Sequence, residues 1–166
     1  MAEGAIDLEI VTPDGVALKE KVSSLTAPSV DGEFGVLPGH SPLLAALKTG
    51  IVSYMKDGTE VKVAVGSGFV EVMNDRAVLL TDHLALKDQI DPVQARLDLK
   101  DADEGLERYA GEPGAAEYLE LMRKELWAAA QLTLYGDPPP PTVHTYYEAA
   151  SRSIEASVTP SETPEH

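Results

Sequence analysis

One stretch limits the fold more than any other: residues 51–56 and 60–65, which flank Asp57-Gly58. Asp-Gly between two runs rich in β-branched residues is the strongest short-range signal for a two-residue hairpin. The same grammar repeats across residues 1–90. Ile6, Leu8 and Ile10 alternate with Asp7, Glu9 and Val11, a period of two, and Pro13-Asp14-Gly15 is a turn. Strand-like runs follow at 16–19 and 22–27. A second hairpin is read at 69–73 and 77–80 around Asn74-Asp75, and 83–87 reads as a short edge strand. Many short strands at regular spacing predict an antiparallel β-sandwich or barrel.

Beyond Ile90 the period changes. Asp91 is a natural N-cap, Pro92 suits the first helical position, and Gln94 occupies the place of a capping-box partner. Ala95, Leu99, Ala102, Leu106 and Tyr109 lie on one helix face. Ala115, Leu119, Met122, Leu126 and Ala129 repeat that spacing. Gly111 is read as closing the first helix, Pro113 as opening the second, and Gly136 as ending it. The expectation is an antiparallel helical hairpin over 91–136. Its narrow Ala/Leu seam buries little area, which suits a movable element. Residues 137–166 hold half of the 12 prolines, among Ser, Thr and Glu, and read as disordered. Within them, 146–150 could form a helical turn on a partner. The expected organisation is thus a β-sandwich (1–90), a hairpin (91–136) and a tail (137–166).

The charge narrows the possible partners. A net −15 with a pI near 4.5 repels phosphate backbones and anionic lipid surfaces. The acids are spread over all three regions. Without Cys there is no disulfide framework or thiolate site. No run of 18 apolar residues and no leader peptide is visible, so an intracellular protein that binds other proteins is expected.

Catalytic signals are weak. His40, His83, His144 and His166 show no metal-ligand spacing. Gly66-Ser67-Gly68 has Glu71 where a dinucleotide loop needs its third glycine, and a strand pattern follows, so a tight turn or bulge is expected. Ser67 lacks the preceding glycine of a nucleophile elbow. Asp7 and Glu9 share a strand face and read as solvated. No enzyme, cofactor or metal is expected.

Residues 32–44 are dense in Gly and Pro yet apolar. They read either as a stiff corner between strands or as a rigid loop presenting Glu33 and His40. This segment, with Gly32, Gly35, Pro38, His40 and Pro42 in a G-x-x-G-x-x-P-x-H-x-P order, resembles the signature of the epsilon subunit of the rotary ATP synthase. Val11-Thr12-Pro13, Lys48-Thr49-Gly50, residues 66–72 and Ile90-Asp91 follow the family's order, so the resemblance spans about 5–136. It implies a ten-stranded β-sandwich, then two helices, in a non-catalytic rotor-stalk subunit that binds gamma and the c-ring and transiently meets alpha and beta. By resemblance Glu33, Gly35, Pro38, His40 and Pro42 form the gamma/c-ring face. The absence of a presequence favours the cytoplasmic face of a bacterial inner membrane over a chloroplast setting.

The resemblance also implies a hairpin that extends into the catalytic head and restrains ATP hydrolysis. Two departures matter. Nucleotide-binding members carry I-D-x-x-R-A, whereas here Gln94 replaces the Arg, and Arg96 lies about 200° around the helix. ATP binding is not expected. The second helix has only Arg123 and Lys124 as cations, so a weak grip on the head is expected. Two alternatives stay open on the residues alone: a β-sandwich adaptor that dimerises through its helices, and a sandwich-fold hydrolase.

Overall fold

The computed structural model describes residues 4–140. Ten strands form the sandwich: β1 (Ile6–Thr12), β2 (Gly15–Val22), β3 (Ser24–Ser29), β4 (Gly32–Val36), β5 (Leu43–Leu47), β6 (Gly50–Lys56), β7 (Thr59–Val65), β8 (Gly68–Met73), β9 (Arg76–Thr81) and β10 (Leu84–Ala85). Their order is β10-β7-β6-β3-β5-β8-β9-β1-β2, with β4 paired to β3. One layer holds β10, β7, β6, β3 and β4, and the other holds β5, β8, β9, β1 and β2. The strand ladder passes from one layer to the other at Ser29, which pairs with Leu47. Across the opposite seam Lys56 reaches Glu20 at 2.6 Å, so the sheet nearly closes into a barrel. The core is the inward set of both layers, with Ile6, Leu8, Ile10, Leu25, Val52, Val63, Val70 and Leu79 buried.

The turns follow their residues. Asp57 and Gly58 take positive φ (50° and 76°), as do Asn74 and Asp75 (51° and 57°), so both two-residue hairpins have the left-handed backbone the sequence favours. Gly66 and Gly68 serve close approach. A Cβ on Gly68 would meet the Leu80 carbonyl oxygen at 1.7 Å, and one on Gly66 would meet the Asp82 carboxylate. Asp7 and Glu9 point outward onto Lys21 (3.0 Å) and Arg76 (2.9 Å).

One strand pairing departs from expectation: β1 runs parallel to β9. These strands are far apart in sequence, so no hairpin dictates their direction. The 83–87 edge strand is shorter than expected. Only Leu84–Ala85 pairs, and a 3₁₀ turn (Lys87–Gln89) follows.

The helices are α1 (Pro92–Arg108) and α2 (Ala116–Tyr135). The Asp91 carboxylate accepts from the N–H groups of Val93 and Gln94, the expected cap. Gln94 does not complete a capping box, because its amide donates to Asp98 at 2.8 Å. Gly111 and Pro113 do not set the inner ends. α1 ends at Arg108, where Tyr109 turns extended. Gly111 is needed instead because the Tyr109 ring lies over it, and Gly114 (φ 101°) makes the turn into α2. Gly136, at φ 107°, closes α2 as expected.

The face expected of α2 is also displaced. Leu119 is exposed, and the buried residues are Glu125, Ala128, Ala130, Leu132 and Leu134. α2 is a middle layer with α1 on one side and β6 and β7 on the other. On the α1 side the helices come close, since a Cβ on Gly105 would meet Leu121. On the sheet side Trp127, Ala130 and Leu134 cover Ile51, Ala64, Ala85 and Ile90. A single-seam pattern does not fit a helix that buries two faces. Most of the acidic tail, including 146–150, lies outside the described residues.

Candidate partner interface

The outer face of the layer β5-β8-β9-β1-β2 is set by strand alternation. In β8, Val70 and Val72 turn into the core, so Phe69, Glu71 and Met73 turn out. Register then aligns a row across all five strands: Ala46 opposite Phe69, Phe69 opposite Leu80, Leu80 opposite Val11, and Val11 opposite Val16. A shift at Ile10/Val11 brings Val16 into this row. The row spans roughly 19 Å over four inter-strand spacings. Three of its five side chains are bare among the described residues, Phe69 and Val16 each 58% exposed and Leu80 51%, while Val11 and Ala46 are half-buried. Leu44 (73% exposed) stands beside it in the next row, opposite Glu71. A third row holds Met73, Arg76, Asp7 and Lys21. The face therefore grades from apolar to charged. A large exposed apolar patch with a charged rim has the anatomy of a protein interface.

The signature segment is divided between two places. Glu33 and Gly35 share the exposed side of β4, beyond which Leu37 begins the turn. Glu33 borders a cleft with Ile51, Ser53, Lys62, Lys87 and Thr133, beside the end of α2. Pro38, His40 and Pro42 lie past the other end of β4. There the Gly39 N–H donates to the Asp75 carboxylate at 2.7 Å, and the His40 N–H donates to the Leu37 carbonyl at 3.1 Å. Gly4 packs on Pro38. Three strand residues, about 10 Å, lie between Glu33 and the end of β4 that leads to His40. Gly35 has ordinary φ, and a Cβ placed on it would come no nearer to its surroundings than 4.0 Å, from the Leu25 carbonyl oxygen. Nothing within the fold requires a glycine there.

The regulatory-helix residues are also dispersed. Asp91 caps α1, and Gln94 pairs with Asp98. Arg96 binds Asp137, and Arg123 contacts Glu120 at 3.7 Å. Lys124 is exposed. The outer apolar row is not readable along the chain, because it exists only once five strands are in register. A partial signal is present: in Phe69-Val70-Glu71-Val72-Met73 one strand face is apolar throughout and the other carries Phe69 and Met73 around Glu71.

The family model for the ATP synthase delta/epsilon chain β-sandwich domain matches residues 5–87. An ATP synthase epsilon chain from Magnetococcus marinus is 38% identical over 76% of this chain and 91% of its own length. One from Desulforamulus reducens is 43% identical over 60% of this chain and 75% of its own length. The chain belongs to the ATP synthase epsilon chain family. A chain of the Euglena gracilis mitochondrial ATP synthase structure (OSCP/F1/c-ring) shares the fold, with a TM-score of 0.64 at 21% identity over 77% of this chain and 80% of that one. An epsilon chain is a non-catalytic subunit of its complex, and the expectation that this chain does no chemistry of its own rests on that membership. Among the described residues no helix is long and apolar enough to cross a membrane.

Proposed function

We propose that this epsilon chain is the central-stalk rotor subunit that joins gamma to the c-ring, so that torque from proton flow reaches the catalytic head. The observation that carries this reading is the apolar row Ala46–Phe69–Leu80–Val11–Val16, in which the described residues leave Phe69, Leu80 and Val16 exposed. We assign this face to gamma. Apolar contact supplies affinity there, and the charged row from Met73 to Lys21 fixes orientation. The exposed Glu33–Gly35 side of β4 is assigned to the polar loops of the c-ring, with Glu33 as a rim contact and Gly35 allowing close approach. Pro38, His40 and Pro42 form a corner whose stiffness, supplied by Asp75, holds β4 in place. The setting is the cytoplasmic face of a bacterial inner membrane, held by protein contacts.

The helical hairpin is read as a weak restraint on ATP hydrolysis through alpha and beta. The cations of α2 are Arg123, which lies 3.7 Å from Glu120, and the exposed Lys124, so that helix offers a small cationic surface to an acidic partner. The test is co-purification with gamma. Phe69→Glu is expected to abolish gamma capture while the melting temperature stays within a few degrees. Full capture by this variant overturns the assignment.

A further inference from the structure

β4 uses only half of its main-chain hydrogen-bonding capacity. It pairs with β3 and with no other described strand. The register sets Pro28 opposite Glu33, Ala27 opposite Phe34 and Thr26 opposite Gly35. Pro28 has no N–H, and its carbonyl accepts from the Lys48 N–H at 3.0 Å, so neither of its main-chain groups is spent on Glu33. Pro28 and Glu33 are therefore a pair without mutual hydrogen bonds. In an antiparallel ladder bonded and non-bonded pairs alternate. Ala27 and Phe34 thus exchange both bonds, and Thr26 and Gly35 exchange none. The N–H and C=O of Glu33 and of Gly35 consequently point away from β3, in the sheet plane, toward the open side of β4. Among the described residues no strand lies there to meet them.

An open edge of this kind is usually blunted by lysine, proline or a bulge. β4 has none of these: Gly32–Val36 holds no Lys or Pro, and its register with β3 is unbroken. The outer face beside the edge is low and polar. The row through Gly35 continues to Thr26, Ser53 and Lys62. An edge glycine leaves a gap across which the facing residue of an added strand can lay a long side chain. Glu33 stands two residues away on the same face, so its carboxylate suits a cationic or amide group at the end of that side chain. Regularly spaced N–H and C=O groups match a peptide backbone.

We propose that β4 holds its partner loop through the main chain. The loop adds as a short strand to the outer edge of β4, bonded to the N–H and C=O groups of Glu33 and Gly35, with a long cationic or amide side chain lying across Gly35 toward Glu33. The inference rests on the assignment of this side of β4 to the polar loops of the c-ring, and it supplies the mode of their recognition.

Residue-resolved amide exchange of the full chain, alone and in the assembled ATP synthase, tests it. In the isolated chain Phe34 is expected to exchange slowly, and Glu33 and Gly35 quickly. On assembly Glu33 and Gly35 should slow by about tenfold or more, so that the alternation along β4 disappears. Gly35→Pro removes the outward N–H without costing a bond to β3, and the extended Phe34 before it accepts a proline. This variant should keep its melting temperature within a few degrees and, together with gamma, bind the c-ring about tenfold more weakly. Gly35→Ala keeps the N–H and should stay within about threefold of the unsubstituted chain. Unchanged exchange of Glu33 and Gly35 on assembly overturns the main-chain mode, as does full ring binding by Gly35→Pro or an equal loss in Gly35→Ala. If Gly35→Pro unfolds, exchange in the unsubstituted chain decides alone. Should the mode fail, Glu33→Lys separates the two readings. Weakened ring binding by that variant keeps the c-ring on this side of β4, and unweakened binding removes it.

Discussion

The two outer faces of the sandwich start from similar chemistry and end differently. Over β6 and β7, Ile51 and Ala64 are covered by Ala130, Leu134 and Trp127 of the same chain, and Ala64 is fully buried. Over β8 and β9, Phe69 and Leu80 are bare. A sheet face with its own cover is stabilised within the chain. A face whose apolar side chains the described residues leave exposed gains that stabilisation only from something else. The contrast separates residues kept for stability from residues kept for association.

Substitutions on the two faces should therefore behave differently. The largest effect is expected at Gly68. Gly68→Val drives a side chain into the Leu80 backbone, so the two strands under the bare face must part. A loss of about 4 kcal/mol or more is expected in urea unfolding. On the covered face, Leu134→Ala should cost about 2–3 kcal/mol and admit protease to the hairpin before the sandwich. On the bare face, Leu80→Lys should change stability by less than about 1 kcal/mol, because that position is already solvated. The same substitution should sharply weaken gamma capture. Gly35→Val should leave the melting temperature almost unmoved, since the site has room and ordinary φ. Its cost should emerge instead as weakened coupling between proton flow and ATP synthesis in reconstituted vesicles, with Glu33→Lys giving a similar defect.

The smallest effect concerns the seam that nearly closes the barrel. Lys56 is raised above its ordinary 10.5, first by its hydrogen bond to Glu20, and Tyr54 is raised above 10.0, first by burial. In both groups the folded chain holds the proton more tightly than the unfolded chain. Their contribution is therefore complete below about pH 10 and is lost as pH rises through the folded values. The unfolding free energy of Glu20→Gln should fall slightly below that of the unsubstituted chain at about pH 8, and the two should converge at strongly alkaline pH. A gap that widened with pH would contradict the seam.

Much of this contrast is legible in the residues. Asp57-Gly58 and Asn74-Asp75 announce their turns because few residues accept positive φ, and Asp91-Pro92 announces a helix start for equally local reasons. What stays hidden depends on distant partners. The parallel β1–β9 pairing joins strands that no turn connects. The second buried face of α2 comes from docking on the sheet, and the ion pair between Arg96 and Asp137 spans 41 positions. The signature segment reads as one motif along the chain, yet β4 carries Glu33 away from His40, and a linear pattern holds no record of that separation.

Hydroxyl-radical footprinting of the isolated chain and of the chain in the assembled ATP synthase tests the bare face most directly. Phe69, Met73, Leu80 and Leu44 are expected to lose most of their reactivity on assembly, while Leu97, exposed on α1, changes little. Equal reactivity of Phe69 and Leu80 in both states would contradict the assignment of this face to a partner.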